Sequence, residues 1–165
     1  MKRKKSILVI AVIIAVCAAL VGLWFVPLTL AREDDVRAAS LITAWIVERR
    51  SLPGYWREYP DAKSMVDTDR FYVACDFLPP EAVLSSDTRV QRVTPKELEP
   101  MYRLGYEKDG EKFALLALKL ARRDSKVLVI HVANMFGSLA GHGYEFRVYR
   151  TIFSLRVHGK FLWVS

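Results

Sequence analysis

Apolar and polar residues change their spacing several times along the chain, and each change predicts a different element. Residues 7–26, ILVIAVIIAVCAALVGLWFV, hold no charged or strongly polar side chain. At helical rise this run reaches about 30 Å, the thickness of a hydrocarbon core. Its Ile, Leu, Val and Phe residues favour insertion by roughly 4 to 8 kcal/mol. The run predicts a transmembrane helix.

After it, Ala38, Leu41, Ile42, Trp45 and Ile46 recur at helical spacing, with Asp34 and Asp35 at the start and Glu48, Arg49 and Arg50 near the end. The acids complement the positive pole of a helix and the arginines its negative pole, so residues 34–50 read as an amphipathic helix needing a partner surface. Pro53 and Gly54 break it. RFYVACDF at 70–77 alternates strictly, placing Phe71, Val73, Cys75 and Phe77 on one face of a strand that Pro79 and Pro80 stop. Thr94, Pro95 and Glu97 spell a capping box with proline at the first helical position, opening a short helix that Pro100 ends or kinks.

From MYRLGYE onward the pattern predicts an antiparallel meander. Asp109 and Gly110 make a tight turn, followed by KFALLALKL, KVLVIHVA, YEFRVYRTIF and KFLWVS. Residues 112–122 suit strand or helix by composition, and the Asp-Gly turn favours strand. VLVIHVA is apolar on both faces, which predicts a central strand with His131 as a hydrogen-bonded core histidine. The expected fold is α+β: an N-terminal transmembrane helix, then an amphipathic helix packed on an antiparallel, meander-like β-sheet. The expected domains are a cytoplasmic basic tail (1–6), a transmembrane signal anchor (7–30) and an extracytoplasmic α+β domain (31–165).

Charge sharpens the orientation. Of the formal +7, Lys2, Arg3, Lys4 and Lys5 supply four, leaving +3 for the rest. Basic residues stay on the cytoplasmic side of a span, Trp24 and Phe25 fall where an aromatic belt lies, and Pro27 closes the run. This predicts a single-pass cell-membrane protein with the C-terminal domain outside the cytoplasm. The competing expectation is a secreted protein, cleaved near Ala31 after Thr29 and Leu30. An apolar core longer than the usual ~7–15 residues of a signal peptide argues against it. The remaining surplus is too mild for nucleic acid, and the C-terminal arginines are interleaved with apolar residues, which reads as a solvated surface. Cys17 and Cys75 fall in different compartments and form no intrachain disulfide.

The residues with candidate chemistry are few. GSLAGHGYEF, 137–146, is either a turn between strands or a ligand-facing loop. The same His-Gly pair recurs at 142–143 and 158–159, sixteen positions apart, each time ahead of a strand-like stretch, which favours turns. A phosphate cradle would need Lys and Ser or Thr after the last glycine, and His142 and Gly143 stand there instead. Ser138, His142 and Tyr144 are the ligand-loop candidates. Tyr55 and Trp56, in SLPGYWREYPD, are aromatic candidates for gripping a sugar or a proline-rich peptide, against packing on the domain or the membrane interface. No catalytic, cofactor or metal residue is nominated. Cys75 sits on an apolar strand face where a thiol is inert, and the three histidines form no close pair.

These readings predict a membrane-anchored, noncatalytic interaction or scaffold domain of the cell envelope. Its expected partners are the lipid bilayer, through residues 7–30, and an envelope protein. One alternative is an envelope enzyme using the His142 loop or Cys75. Another is a pilin-like or secretion-machine subunit, and the absence of any acid between residues 7 and 30 stands against its pilin-like form.

Overall fold

The computed structural model describes residues 2–50, 68–102, 107–108, 110–135 and 141–164. A first helix, α1, runs from Lys2 to Phe25, and a second, α2, from Glu33 to Arg50. The strands are β1 (Arg70–Cys75), β2 (Val90–Val93), β3 (Glu107–Lys108), β4 (Glu111–Arg123), β5 (Leu128–Met135), β6 (Gly141–Arg150) and β7 (Leu155–Val164). A short helix, α3 (Pro95–Met101), separates β2 from β3. The fold is α+β, with a mixed sheet in the order β2-β1-β4-β5-β6-β7 and β3 paired on β4.

The expected meander holds for β4 to β7, which pair antiparallel in sequence order. It fails at β1, which lies between β2 and β4 and runs parallel to both. Parallel neighbours need a long crossover rather than a hairpin. The chain from 76 to 110 provides it, and α3, with its proline start and complete capping box, is the helix of that crossover. Glu97 donates its backbone N–H to Thr94 Oγ1 at 3.3 Å, and Thr94 donates its own to Glu97 Oε2 at 2.7 Å. Hydrogen bonding from Thr94 holds the Glu97 carboxyl below its ordinary pKa. Met101 and Tyr102 close this helix instead of opening a strand; residues 103–106 lie outside the described residues, and Glu107 begins β3.

Residues 112–122 are strand, within β4. Gly110 explains why. Its φ of +81° admits the tight return that hands the chain from β3 to β4, where their pairing is Glu107 with Lys112 and Lys108 with Glu111. Alternation then sorts side chains between two faces. On the first, α2 lays Ala38, Ala39, Ile42, Ile46 and Val47 over Phe71, Val73, Leu116, Leu118, Ile130, Val132, Phe146 and Val148. On the second, α3 brings Leu98 against Ala74, Val93, Phe113 and Leu115, so among the described residues this helix covers only the β2, β1 and β4 part of the sheet.

The acids that complement the pole of α2 also bolt it to the sheet. Asp34 is fully buried, and its Oδ2 accepts from the Ala31 N–H at 2.8 Å and from Arg150 on β6 at 3.1 Å. Asp35 pairs with Arg123 on β4 at 3.1 Å. Upstream, Leu28 donates its N–H to Arg150 O and Leu30 to Ser125 O, both at 2.8 Å. The segment after α1 is therefore fixed to the end of the sheet that carries the β4–β5 and β6–β7 turns. The described side chains of α1, residues 10–22, are exposed all round the helix. Among the described residues no helix is long and apolar enough to cross a membrane.

Candidate functional site

The described part of the glycine-rich segment, residues 141–146, behaves differently from either expectation, while residues 137–140 lie outside the described residues. Gly141, His142, Gly143 and Tyr144 are neither turn nor loop but the first residues of β6, paired with Met135, Asn134, Ala133 and Val132 of β5. His158 and Gly159 likewise lie inside β7, opposite Arg147 and Phe146. Close packing explains Gly159, since a Cβ there would stand 2.8 Å from the Phe146 ring. The paired dipeptide thus marks strand interiors, and the turn reading is corrected for residues 141–143 and 158–159. Ser138, Tyr55 and Trp56 lie outside the described residues.

Tyr144 packs in the core beneath α2, with buried His142 beside it. His142 is buried, with the Tyr144 and Phe161 rings edge-on at 6.3 and 5.8 Å. Trp45 of α2 meets Tyr144 at 5.9 Å and Phe146 at 5.4 Å. Across from His142 stands Asn134, also buried, whose Oδ1 has no hydrogen-bond partner among the described residues.

Cys75 faces the same core from β1. Burial pushes its thiol up, which keeps it protonated and a poor nucleophile. It lines a recess of about 350 Å³ with Asp76, Arg92, Thr94 and Glu97. Arg92 is committed there to structure, donating to the carbonyls of Leu78 at 3.0 Å and of Cys75 and Ala82 at 3.3 Å. In the sheet order, Cys75 and His142 are separated by three strand spacings, about 14 Å, so these two residues form no dyad. Among the described residues no group of three or more His, Cys, Asp or Glu side chains is placed to hold a metal ion.

The site that reading the sequence missed is the half of the second face that α3 leaves uncovered. Register places Lys119 of β4 opposite His131 of β5, and His131 opposite Glu145 of β6, which in turn faces Lys160 of β7. One step along the strands, Arg147 faces His158, and then Tyr149 faces Arg156. A bulge between Leu120 and Arg122 returns Arg122 to this same face, opposite Val129. Four adjacent strands present these groups over a width of roughly 15 Å.

Glu145 organises the centre. It accepts from Arg147 at 2.9 Å and lies 3.5 Å from His131 Nε2, so His131 is half-exposed beside a carboxylate and is not a core histidine. The hydrogen bond from Arg147, more than its charge or that of His131, holds the Glu145 carboxyl below its ordinary pKa. Arg122 pairs with Asp124 at 2.8 Å in the neighbouring turn. Tyr149 packs edge-on against His158 at 6.0 Å. Arg122, Val129, His131, Glu145, Arg147 and Tyr149 line a shallow concavity of about 390 Å³.

Chemically this is a cation-rich, partly aromatic surface with one carboxylate at its middle. It is suited to holding an anionic or acidic partner by several separated charges. The alternation that spaces the C-terminal arginines along the sequence is what gathers them on the sheet, because every second strand residue shares a face. No protein family, curated protein or solved structure matches this chain.

Proposed function

We propose that the protein is a single-pass, membrane-anchored extracytoplasmic protein acting as a noncatalytic interaction domain of the cell envelope, with the open basic face as its partner surface. Helix α1 serves as the anchor on the strength of the full run 7–26, because its described residues alone are not long and apolar enough to cross. Its support is the uncharged run 7–26, the basic residues before it, and the exposure of aliphatic side chains such as Ile10, Ile14 and Leu20 on every side of the helix. Residues 31–165 form the domain it carries. The single observation behind the partner surface is the registered array of Lys119, Arg122, Arg147, Arg156 and Lys160 around Glu145, on the part of the second sheet face that no described helix covers.

The enzyme reading has less support. Its residues are apart, its cysteine is protonated and its histidine is buried. The reading as a noncatalytic module is tested by placing a photo-crosslinking side chain at position 119 or 160 in the full chain, in its own membrane. Adducts from both, weakened by added salt and absent when the probe replaces exposed Val83, are expected. Equal yields from position 83, or none from 119 and 160, contradict the assignment.

A further inference from the structure

Two turns stand side by side at the end of the sheet where the segment after α1 is fastened, and they differ in character. The β4–β5 turn is polar, Asp124-Ser125-Lys126, with Asp124 Oδ1 accepting from the Lys126 and Val127 N–H groups at 2.9 and 2.8 Å. The β6–β7 turn is Thr151-Ile152-Phe153-Ser154, closed by Thr151 N–H to Ser154 O at 2.8 Å and by the Thr151 hydroxyl to the same oxygen at 2.9 Å. Turn tips favour Gly, Asn, Asp and Ser. Here the tip holds Ile152 and Phe153, 49% and 65% exposed.

Their position gives these residues a destination. Leu28 bridges Arg150 in the antiparallel sense. Continuing that direction, the chain beyond Arg150 returns toward Val26, one residue past the end of α1 and itself exposed. The apolar tip therefore lies level with the point where α1 ends. We infer that the β6–β7 turn dips into the interfacial layer of the lipid bilayer beside α1, with Ile152 and Phe153 in the headgroup and upper acyl region. This inference rests on α1 being the anchor. Apolar side chains reach about 5–10 Å into that layer when they lie on a membrane. Lys126, exposed on the adjacent turn, sits at the height of lipid phosphates. With the helix and the turn as two points of attachment, the strands stand away from the membrane and the basic face looks sideways along it.

The test uses full-length protein carrying Cys17→Ala and Cys75→Ala, reconstituted in phosphatidylcholine–phosphatidylglycerol vesicles. A nitrobenzoxadiazole fluorophore is attached at Phe153→Cys, at Ile152→Cys to keep Phe153 in place, or at Glu111→Cys. The last site begins β4, about 40 Å away along the strand. Quenching by a shallow nitroxide lipid at 152 and 153 is expected to be about threefold that at 111, with the reverse order for aqueous iodide. Alkaline extraction of the same vesicles separates the two claims. Protein that resists extraction while 152 and 153 are quenched by iodide as strongly as 111 overturns the turn insertion alone. Protein that washes off overturns the anchor as well. Burial of position 153 in native membranes but not in protein-free vesicles assigns the tip to a protein partner and equally overturns the inference.

Discussion

The two faces of the sheet between β4 and β7 are built from alternate residues of the same strands, yet they do opposite work. On the face beneath α2, Leu116, Ile130, Val132, Phe146 and Val148 are almost wholly excluded from water. On the other, Lys119, His131, Arg147 and Lys160 are exposed. One residue of register separates Phe146 from Arg147. A strand shifted by a single position would bury the guanidinium and expose the ring, so the pairing is strongly specified. The comparison teaches that stability and recognition are assigned here by parity along the strand, with neither confined to a separate region.

The largest expected effect belongs to the covered face. Phe146→Ala empties a site packed by Trp45 and Tyr144 and is expected to cost about 3–5 kcal/mol in denaturant unfolding. A cost below about 1 kcal/mol would mean that α2 does not sit on this face as described. Asp34→Ala removes the buried carboxylate that receives Ala31 and Arg150. Because Arg150 keeps partial access to water, the expected loss is smaller, about 1–3 kcal/mol by the same measurement. Gly159→Ala probes the close approach of β7 to the Phe146 ring. The buried ring must yield to a Cβ, giving about 1–3 kcal/mol of destabilisation, whereas a true turn glycine without positive φ would tolerate alanine.

The open face is expected to move stability least. Arg147→Ala leaves the unfolding free energy within about 0.5 kcal/mol, while retention on an anionic matrix falls. Glu145→Gln acts in the opposite sense. It removes the central carboxylate and strengthens polyanion retention about two- to threefold at low salt. If both variants shift retention in the same direction, the surface does not act through its charge. The Glu145 pKa is depressed, so the native charge pattern holds throughout neutral pH. The favourable contribution of the carboxylate is lost only as pH falls from the ordinary carboxylate range down through that depressed value.

Much of this architecture is legible in the residues. The periodicity of 34–50, the alternation of 70–75, the capping box at Thr94 and the turn glycine Gly110 each carry a local physical cause and appear where that cause predicts, while the strand stops at Cys75, two residues before Phe77. What is not legible depends on long-range pairing. Nothing in RFYVACDF states that its neighbours run parallel. Nor do the four residues of β2 carry enough pattern to announce a strand. Glycine is ambiguous in the same way. Gly110 is needed for its positive φ, Gly159 for the ring opposite it, and only the partner strand distinguishes the two uses. His131 looked like a core residue because its sequence neighbours are apolar, but those neighbours face both ways and the uncovered side is the one His131 occupies. The basic array was hidden for a related reason. Its members come from β4, β6 and β7 and meet only through register.

The division of labour between the faces is tested most directly by one variant of the full chain, Lys119→Glu with Arg147→Glu and Lys160→Glu, assayed for both unfolding and crosslinking from position 156. The account predicts an unfolding free energy within about 1 kcal/mol of the parent, together with loss of the salt-sensitive adduct. An undiminished adduct, or collapse of the fold with the charge reversal, would contradict it.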